Sequence, residues 1–472
     1  MIVMKFGGTS LATADRFRNA GERIRERLPR RPLVVVSALA GITDALIRGA
    51  HQASNQDREA ADQADLIAER HQALACALLS AGPGRDRLLA HIEAVMAELR
   101  ASYAGVHDLA ALGPRALDAI AGTGERLSFA IMAAYLEARR IPAEGVDARG
   151  VIVTDDQFGR AEPLMPVTAD RVRELVRPLL EQGVVPVLPG YIGSTRDGIA
   201  TTLGRGGSDW SASVIGAALP AEAIEIWTDV DGLMTADPRV VAHASVIPEV
   251  SFSDAADAAH FGARVLHPAT IKPAVERGIP VWIFNSMNPG AHGTRISARV
   301  ANAPGQLAAV TFKRGVSTVL VTKPPLTLVH AFRAQVFEVF ARHRTAVDLV
   351  VTSEASLSLT VDQAASLPDL EADLRHLGEV RVLPGRAVVT VVGRVFAQGL
   401  AARILQTVRE LDVASISFGA SGRNLSFVVE EADVETAVRA VHREFFEGRA
   451  APEAPAELAG AAGSGSWQQG AW

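Results

Sequence analysis

The sequence predicts an α/β protein in two parts, and three observations carry the prediction. Over the first 300 residues, short β-branched runs alternate with helical stretches, the pattern of a mostly parallel sheet flanked by helices. Around residues 297–315 the character of the chain changes. Beyond that point an order of strand, helix, two strands and helix occurs twice, as in a tandem of small ferredoxin-like modules.

In chain order, IVMKF, LVVVSA, IPAEGVDA, VIVT, VVPVLPGYI, AIEIWTDV and IPVWIF read as strands, with helical patterns between them. Residues 51–112 are rich in Ala, Leu, Glu, Arg and Gln and poor in strand formers, so they read as a helical insertion, a solvated helical pair in the first instance or a lid. This first part spans 1–296, and 297–314, with SARVANAPGQ, reads as a linker. The first repeat, 315–383, runs STVLVT, LVHAFRAQVFEVFARH, AVDLVVTS, SLSLTVD and PDLEADLRHLG. The second, 384–447, runs RAVVTVVG, GLAARILQTVRELD, VASISFGAS, NLSFVVE and DVETAVRAVHREFF, either following the first module or interleaved with it. Residues 448–472 are low in complexity, rich in Ala, Gly and Pro, and read as a disordered tail.

Composition narrows the function classes. Of 472 residues, 48% are hydrophobic, enough for large cores. A net charge of −6 offers no basic footprint for nucleic acid. The single cysteine, Cys76, permits no internal disulfide and fits a reducing compartment. Its helical context, HQALACALLS, predicts a small buried hydrophobe. Apolar runs such as LVVVSALAGI at 33–42 are well short of the roughly 20 residues that span a bilayer. Ile2 to Phe6 is likewise too short for a secretory signal, so a cytoplasmic protein without membrane contact is expected.

Four stretches carry candidate chemistry. KFGGTS at 5–10 and LGRGGSDW at 203–210 each join an extended run to a helix through clustered glycines beside a cation, Lys5 or Arg205. Glycines let backbone N–H groups approach an anion, and the helix N-terminus adds partial positive charge. Ser208 or Asp209 is expected to cap the second helix. In AGTGERLSFAIMAAYL, Glu125 stands at a helix start behind Gly122 and Gly124, which clear space before it. In IWTDVDGLMTADPRV a strand ends at Thr228 and Asp229 and opens into a Gly/Pro loop, where an α/β fold binds ligands. A calcium-loop reading fails because position twelve from Asp229 is Val240, not Glu, and the 12 histidines show no metal-ligand spacing. No P-loop, protein-kinase or Rossmann signature is present.

Taken together, KFGGTS, AGITD (with Asn commonly in the last place), the GE before a helix, TTLGRGGSD, WTDVDG, ADPR and FGARVLHP resemble the aspartate kinases of the amino-acid kinase family, from about residue 2 to about 447. The resemblance implies the amino-acid kinase fold followed by two βαββαβ ACT modules. It also implies transfer of a phosphoryl group from ATP, with Mg²⁺, to the side chain of L-aspartate. On that resemblance Lys5 contacts the phosphates, Gly7 and Gly8 admit them, and Asp209 orients Lys5. Glu125 takes the substrate ammonium and Arg205 its α-carboxylate, with Thr43, Gly206, Gly207 and Ser208 supplying further hydrogen bonds. Thr228, Asp229, Met234, Arg239, Arg264 and Val265 hold the nucleotide; Met234 replaces a usual Tyr and Arg264 a usual Lys, so altered ATP affinity is expected.

An amino-acid effector, lysine first, would sit at Leu326, Val329, Phe332, Arg333, Asp348, Ser353, Glu354 and Ala355, where Leu326, Val329 and Arg333 depart from the family pattern. Pairing through ACT modules implies a homodimer or tetramer. The alternatives are another carboxylate kinase of the same family and a catalytically silent amino-acid sensor.

Overall fold

The computed structural model describes residues 1–57, 59–262, 268–288, 290–298, 300, 307–362, 367–419 and 421–447. Among them, residues 1–233 and 268–298 form one compact unit, and 234–262 with 300–447 form another.

The first unit runs β1 (Ile2–Phe6), α1 (Ala14–Glu26), β2 (Pro32–Val36), α2 (Ile42–Ser54), α3 (Glu59–Leu78), α4 (Pro83–Leu109), α5 (Pro114–Ala121), α6 (Thr123–Ala138) and β3 (Ala143–Gly145). It continues through α7 (Met165–Leu175), α8 (Arg177–Glu181), β4 (Val185–Pro189), β5 (Ile192–Ser194), β6 (Ala200–Thr202), α9 (Gly207–Ala218) and β7 (Ala223–Thr228). The chain then contributes β8 (Glu249–Ser251) and α10 (Phe252–His260) to the second unit. It returns to the first with α11 (Lys272–Arg277), β9 (Val281–Asn285) and β10 (Thr294–Ser297).

The sheet of the first unit is ordered β3-β4-β2-β1-β7-β9-β10, parallel throughout except for the last pair. β1 and β2 are buried at every position, as expected of strands covered on both faces. Parallel pairing brings the carboxyl ends of β1, β2, β4 and β7 to one edge, and KFGGTS leaves from there; LGRGGSDW follows β6, which pairs with β5 in a separate two-stranded antiparallel sheet. Of the expected strand IPAEGVDA only Ala143–Gly145 is extended, and VIVT contributes only isolated bridges at Val153 and Thr154.

The expected helical insertion is α3 and α4, but the pair is not simply solvated. Ile67, Leu74, Ile92, Met96, Leu99 and Tyr103 belong to the same core as Met4 and Val34. Cys76 is exposed, against expectation. The buried stripe of α3 runs through Ile67, Ala68, His71, Leu74 and Ala75, and one further residue turns Cys76 off that face.

The second unit adds β11 (Leu307–Thr322), α12 (Val329–Arg342), β12 (Val347–Thr352), β13 (Ser356–Asp362), α13 (Leu367–Arg375), β14 (Glu379–Gly393), α14 (Leu400–Thr407), β15 (Ser415–Phe418), β16 (Asn424–Glu430) and α15 (Val434–Phe445). Its strands form one sheet in the order β12-β13-β11-β14-β16-β15. β11 and β14 are long strands used by both repeats. Val316–Thr322 pairs with β13, Leu307–Lys313 pairs with the half of β14 that also pairs β16, and the register shifts between Lys313 and Val316. The modules are therefore interleaved: the strand completing the second module precedes the first in sequence. Residues 307–314, read from sequence as linker, are strand. Residues 234–262, read as part of 1–296, pack on the second module instead: Ala236, Val240 and Val241 enter its core and Thr235 Oγ1 lies 3.0 Å from His442 Nε2. The expected tail, 448–472, lies outside the described residues.

Candidate active site

Lys5 is the penultimate residue of the central strand, aligned with Val35 of β2 and Ile226 of β7. A lone ammonium there would be costly. It is paired instead: Lys5 Nζ lies 2.7 Å from Asp209 Oδ1, with both side chains largely buried. The segment after β1 is pinned between neighbouring strand ends, with Gly7 N donating to Trp227 O at 3.0 Å and Ala40 N donating to Gly8 O at 3.1 Å. A Cβ on Gly8 would stand 2.6 Å from Ala38 O, so packing alone demands glycine there. A Cβ on Gly7 would meet only Trp227 O at 3.6 Å and Lys5 Nζ at 3.7 Å, ordinary contacts. The protein therefore has no packing need for Gly7; the space it leaves lies beside the Lys5 ammonium.

α9 begins at Gly207, with Gly206 in the left-handed conformation (φ +72) as its N-cap and no side-chain cap. Ser208 and Asp209 therefore lie inside the first turn and neither caps the helix, contrary to the sequence expectation; Asp209 is engaged by Lys5. Gly207 N donates to Gly204 O and Asp209 N to Gly206 O, both at 3.0 Å, which among the described residues leaves the Ser208 amide as the first-turn donor open to an anion. Arg205, just before this turn, is exposed and has no ion-pair or hydrogen-bond partner among the described residues.

Glu125 lies in the first turn of α6 and is only 3% exposed. Burial pushes its pKa up to about 7, against backbone N–H groups of Ala38 and Glu125 itself and the charge of Lys5, which all favour the carboxylate. Its Oε2 has no hydrogen-bond partner among the described residues. Gly124 clears space for the protein rather than for a ligand: a Cβ there would be 2.6 Å from the Ala38 side chain. Thr43 stands half-buried in the first turn of α2.

Sequence reasoning missed Tyr191, directly beyond β4. It adopts a left-handed backbone (φ +67), and its amide donates to Ser211 Oγ at 3.0 Å. Burial pushes its phenol above the ordinary value; a hydrogen bond with Thr202 opposes that, and the charges of Glu125 and Asp118 add to it. Nothing in its local sequence, PGYIG, announces this. The end of β7 is better buttressed than expected: Thr228 O accepts from Ser286 N at 2.8 Å, and Ser286 Oγ, with one proton to give, lies 3.0 Å from Thr228 O and 2.8 Å from Ser10 Oγ. Thr228 Oγ1 donates to Asp229 Oδ1 at 3.2 Å.

Met234 and Arg239 belong to the second unit. Arg239 is exposed, its guanidinium forked onto Asp237 through Nε at 3.0 Å and Nη2 at 2.6 Å. Arg264 and Val265 lie outside the described residues. Of the expected effector residues, Phe332 is buried in the first module's core, and Leu326 is exposed with a left-handed backbone (φ +67). Val329 is half-buried at the start of α12. Arg333 Nη2 donates to Ser353 O at 3.0 Å, and Ser353 Oγ accepts from the amides of Ala355 and Ser356 in a tight turn that exposes Glu354 and Ala355. Asp348 is paired with Lys313 at 2.8 Å. Burial works against the charge on Lys313, but hydrogen bonds with Asp348 and Asp362 outweigh it and hold the ammonium above its ordinary pKa.

A family model for the amino acid kinase family matches residues 1–285, and one for the ACT domain matches residues 389–445. The lysine-sensitive aspartokinase 3 of Escherichia coli is 36% identical over 462 residues, covering 95% of this chain and 99% of that protein. The chain belongs to the aspartokinases of the amino acid kinase family. The chloroplastic aspartokinase 1 of Arabidopsis thaliana is 34% identical over 463 residues, 94% of this chain and 80% of that protein. The crystal structure of E. coli aspartokinase III in complex with aspartate and ADP (R-state) superposes with a TM-score of 0.82 at 34% identity, covering 95% of this chain and all of that one. The complex of the same enzyme with lysine and aspartate (T-state) gives 0.80. This aspartokinase thus has the expected fold, a mostly parallel kinase sheet followed by ACT modules. Among its described residues no helix is long and apolar enough to cross a membrane, and no group of three or more His, Cys, Asp or Glu is placed to hold a metal ion.

Proposed function

We propose that the chain transfers the γ-phosphoryl group of ATP to the side-chain carboxylate of L-aspartate, giving 4-phospho-L-aspartate and ADP, in the cytoplasm, as the first step toward lysine, threonine and methionine. The observation that carries this reading is a pair of opposite charged groups with binding capacity left over. Among the described residues, Glu125 Oε2 is buried without a partner, and the Arg205 guanidinium at the start of α9 has none. An α-amino acid has one ammonium and one α-carboxylate to match them, and the planar fork of arginine suits the carboxylate.

The acceptor carboxylate, with an ordinary pKa of about 3.9, is ionised at neutral pH and needs no general base. The work is electrostatic: two anions must meet, and charge on the transferring group must be stabilised. Lys5 Nζ, the space at Gly7 and the N-terminus of α9 fit a polyphosphate. Mg²⁺, held mainly by phosphate oxygens and water, would neutralise phosphate charge and so asks few ligands of the protein. Asp209 holds Lys5 in place. Thr43, Gly206, Gly207 and Ser208 serve the aspartate side, and Thr228 and Asp229 the nucleotide side.

An amino-acid effector, lysine in the first instance, acts through the first ACT module at the turn 353–356, and the enzyme works as a homodimer or tetramer through its ACT modules. The neighbouring E. coli enzyme is named as lysine-sensitive. An ATP-dependent hydroxamate assay tests the main reading: product from aspartate supports it, and product only from another acid overturns it.

A further inference from the structure

We propose that Asp118 is a positioning residue that ties the ammonium-binding end of the aspartate site to its carboxylate-binding end; the inference rests on the aspartokinase reading above. Asp118 sits in α5 and is 3% exposed. Its carboxylate accepts three hydrogen bonds from distant parts of the chain. Oδ2 accepts from Thr202 N at 2.8 Å and Gly159 N at 2.9 Å, and Oδ1 accepts from Thr202 Oγ1 at 2.8 Å.

Each attachment leads to a binding residue. On the donor side of the chain, Gly122 N donates to the backbone carbonyl of Asp118 at 3.1 Å, so Asp118 is fixed to the corner where α5 becomes α6, and Glu125 lies in the first turn of α6. On the other side, Thr202 ends β6, three positions before Arg205. Between them Gly204 is left-handed (φ +73), and a Cβ on it would stand 3.0 Å from Gly159 O. The loop that Asp118 holds through Gly159 N is therefore the loop packed over Gly204. Arg205 itself has no partner among the described residues, and glycines with positive φ stand on both sides of it. Leu203 is buried as well and its amide donates to Tyr191 O at 2.9 Å, but Thr202 is the last residue before Arg205 whose side chain is held by a hydrogen bond.

The substrate makes that anchoring matter. The ammonium and α-carboxylate of an amino acid hang from one carbon, so Glu125 and Arg205 must keep a fixed separation to grip both. A displacement of about 1 Å in such a pair is enough to cost on the order of 100-fold. Three directed donors on one buried carboxylate hold the loop more tightly than a packing contact would.

Three variants in the full-length enzyme test this through a split between substrates. Asp118→Ala removes all three acceptor interactions and is expected to raise KM for aspartate about tenfold or more while KM for ATP changes less than about twofold. Asp118→Asn is expected to restore near-wild-type KM, because its carbonyl oxygen accepts both backbone N–H groups and its NH₂ donates to Thr202 Oγ1. Thr202→Val removes the hydroxyl alone and is expected to fall between, and it carries the test if Asp118→Ala does not fold. A merely structural Asp118 predicts a different result: both KM values rising together, or Asp118→Asn as impaired as Asp118→Ala. Either outcome, or an unchanged KM for aspartate in Thr202→Val, overturns the proposal. Failure of the wild-type enzyme to phosphorylate aspartate overturns the aspartokinase reading itself, and the proposal with it.

Discussion

Replacing Glu125 by Gln should make the free protein more stable at pH 8 while crippling its use of aspartate. Burial raises the Glu125 pKa from 4.5 to about 7. Between those two values the carboxyl keeps its proton in the fold and has lost it in the unfolded chain. The unfolded state then binds fewer protons, so stability falls as pH rises across the window. A shift of this size corresponds to ~3 kcal/mol at pH 8. Glutamine has nearly the same shape, keeps an oxygen for the Ala38 amide and carries no charge to desolvate. At roughly 2–4 °C per kcal/mol for a unit of this size, the Tm of Glu125→Gln should exceed that of wild type by on the order of 6–12 °C at pH 8. The advantage should shrink toward zero at pH 5, where the wild-type carboxyl is protonated in the fold. Thermal unfolding of both proteins at the two pH values measures this, and initial rates at pH 8 should show KM for aspartate raised with KM for ATP little changed. The difference between variant and wild type is the quantity to follow, because buried His71 tilts wild-type stability the other way over a similar window. A Glu125→Gln protein no more stable than wild type at pH 8, or equally favoured at both pH values, would refute the reasoning.

Other outcomes follow from the same geometry. Because only ionised Glu125 can hold an ammonium, kcat/KM for aspartate should climb with pH and level off above about 7; a flat profile from pH 6 to 8 would contradict the role given to Glu125. His71, whose pKa burial lowers from 6.5 to about 4, should withdraw ~3 kcal/mol of stability as pH falls from 6.5 toward 4, since the unfolded chain then takes up the proton first. His71→Leu should remove that loss, as read from urea unfolding at pH 7 and pH 4.5. Lys5→Ala should cut kcat by about 100-fold or more with a small change in KM for aspartate; a variant with full kcat would refute the phosphate role. Initial rates with millimolar lysine should fall, and unchanged rates would sink the effector proposal.

The kinase sheet was legible because its strands are short β-branched runs bounded by glycine. Parallel pairing then leaves only one edge from which KFGGTS can leave, whereas TTLGRGGSD follows the small antiparallel pair β5-β6. Lys5 and Arg205 were legible as charges beside clustered glycines, and Glu125, which the dipole of its helix alone could explain, through the glycines before it. The interleaving of the ACT modules was less so. βαββα occurs twice in the sequence, yet the strand that completes the second repeat, Leu307–Lys313, lies before the first, and no local pattern says which half of a long strand pairs with what. The same limit hid the affiliation of 234–262, whose apolar residues Ala236, Val240 and Val241 meet a core built some 70 to 200 residues later.

The two adjacent glycines of KFGGTS show where sequence and structure part company. By residue type they are identical, and a glycine-rich anion loop explains both. In the fold, Gly8 is required by the carbonyl of Ala38 and would be glycine with or without a ligand. Gly7 has room for a methyl group and faces the Lys5 ammonium. The functional content of the motif is therefore concentrated at Gly7. A Gly7→Ala substitution should leave Tm nearly unchanged and weaken ATP use, whereas Gly8→Ala should destabilise the fold by forcing a Cβ against backbone. Thermal unfolding with KM for ATP separates the two, and a Gly7→Ala enzyme with wild-type KM and kcat for ATP would show that the space beside Lys5 is not where phosphate sits.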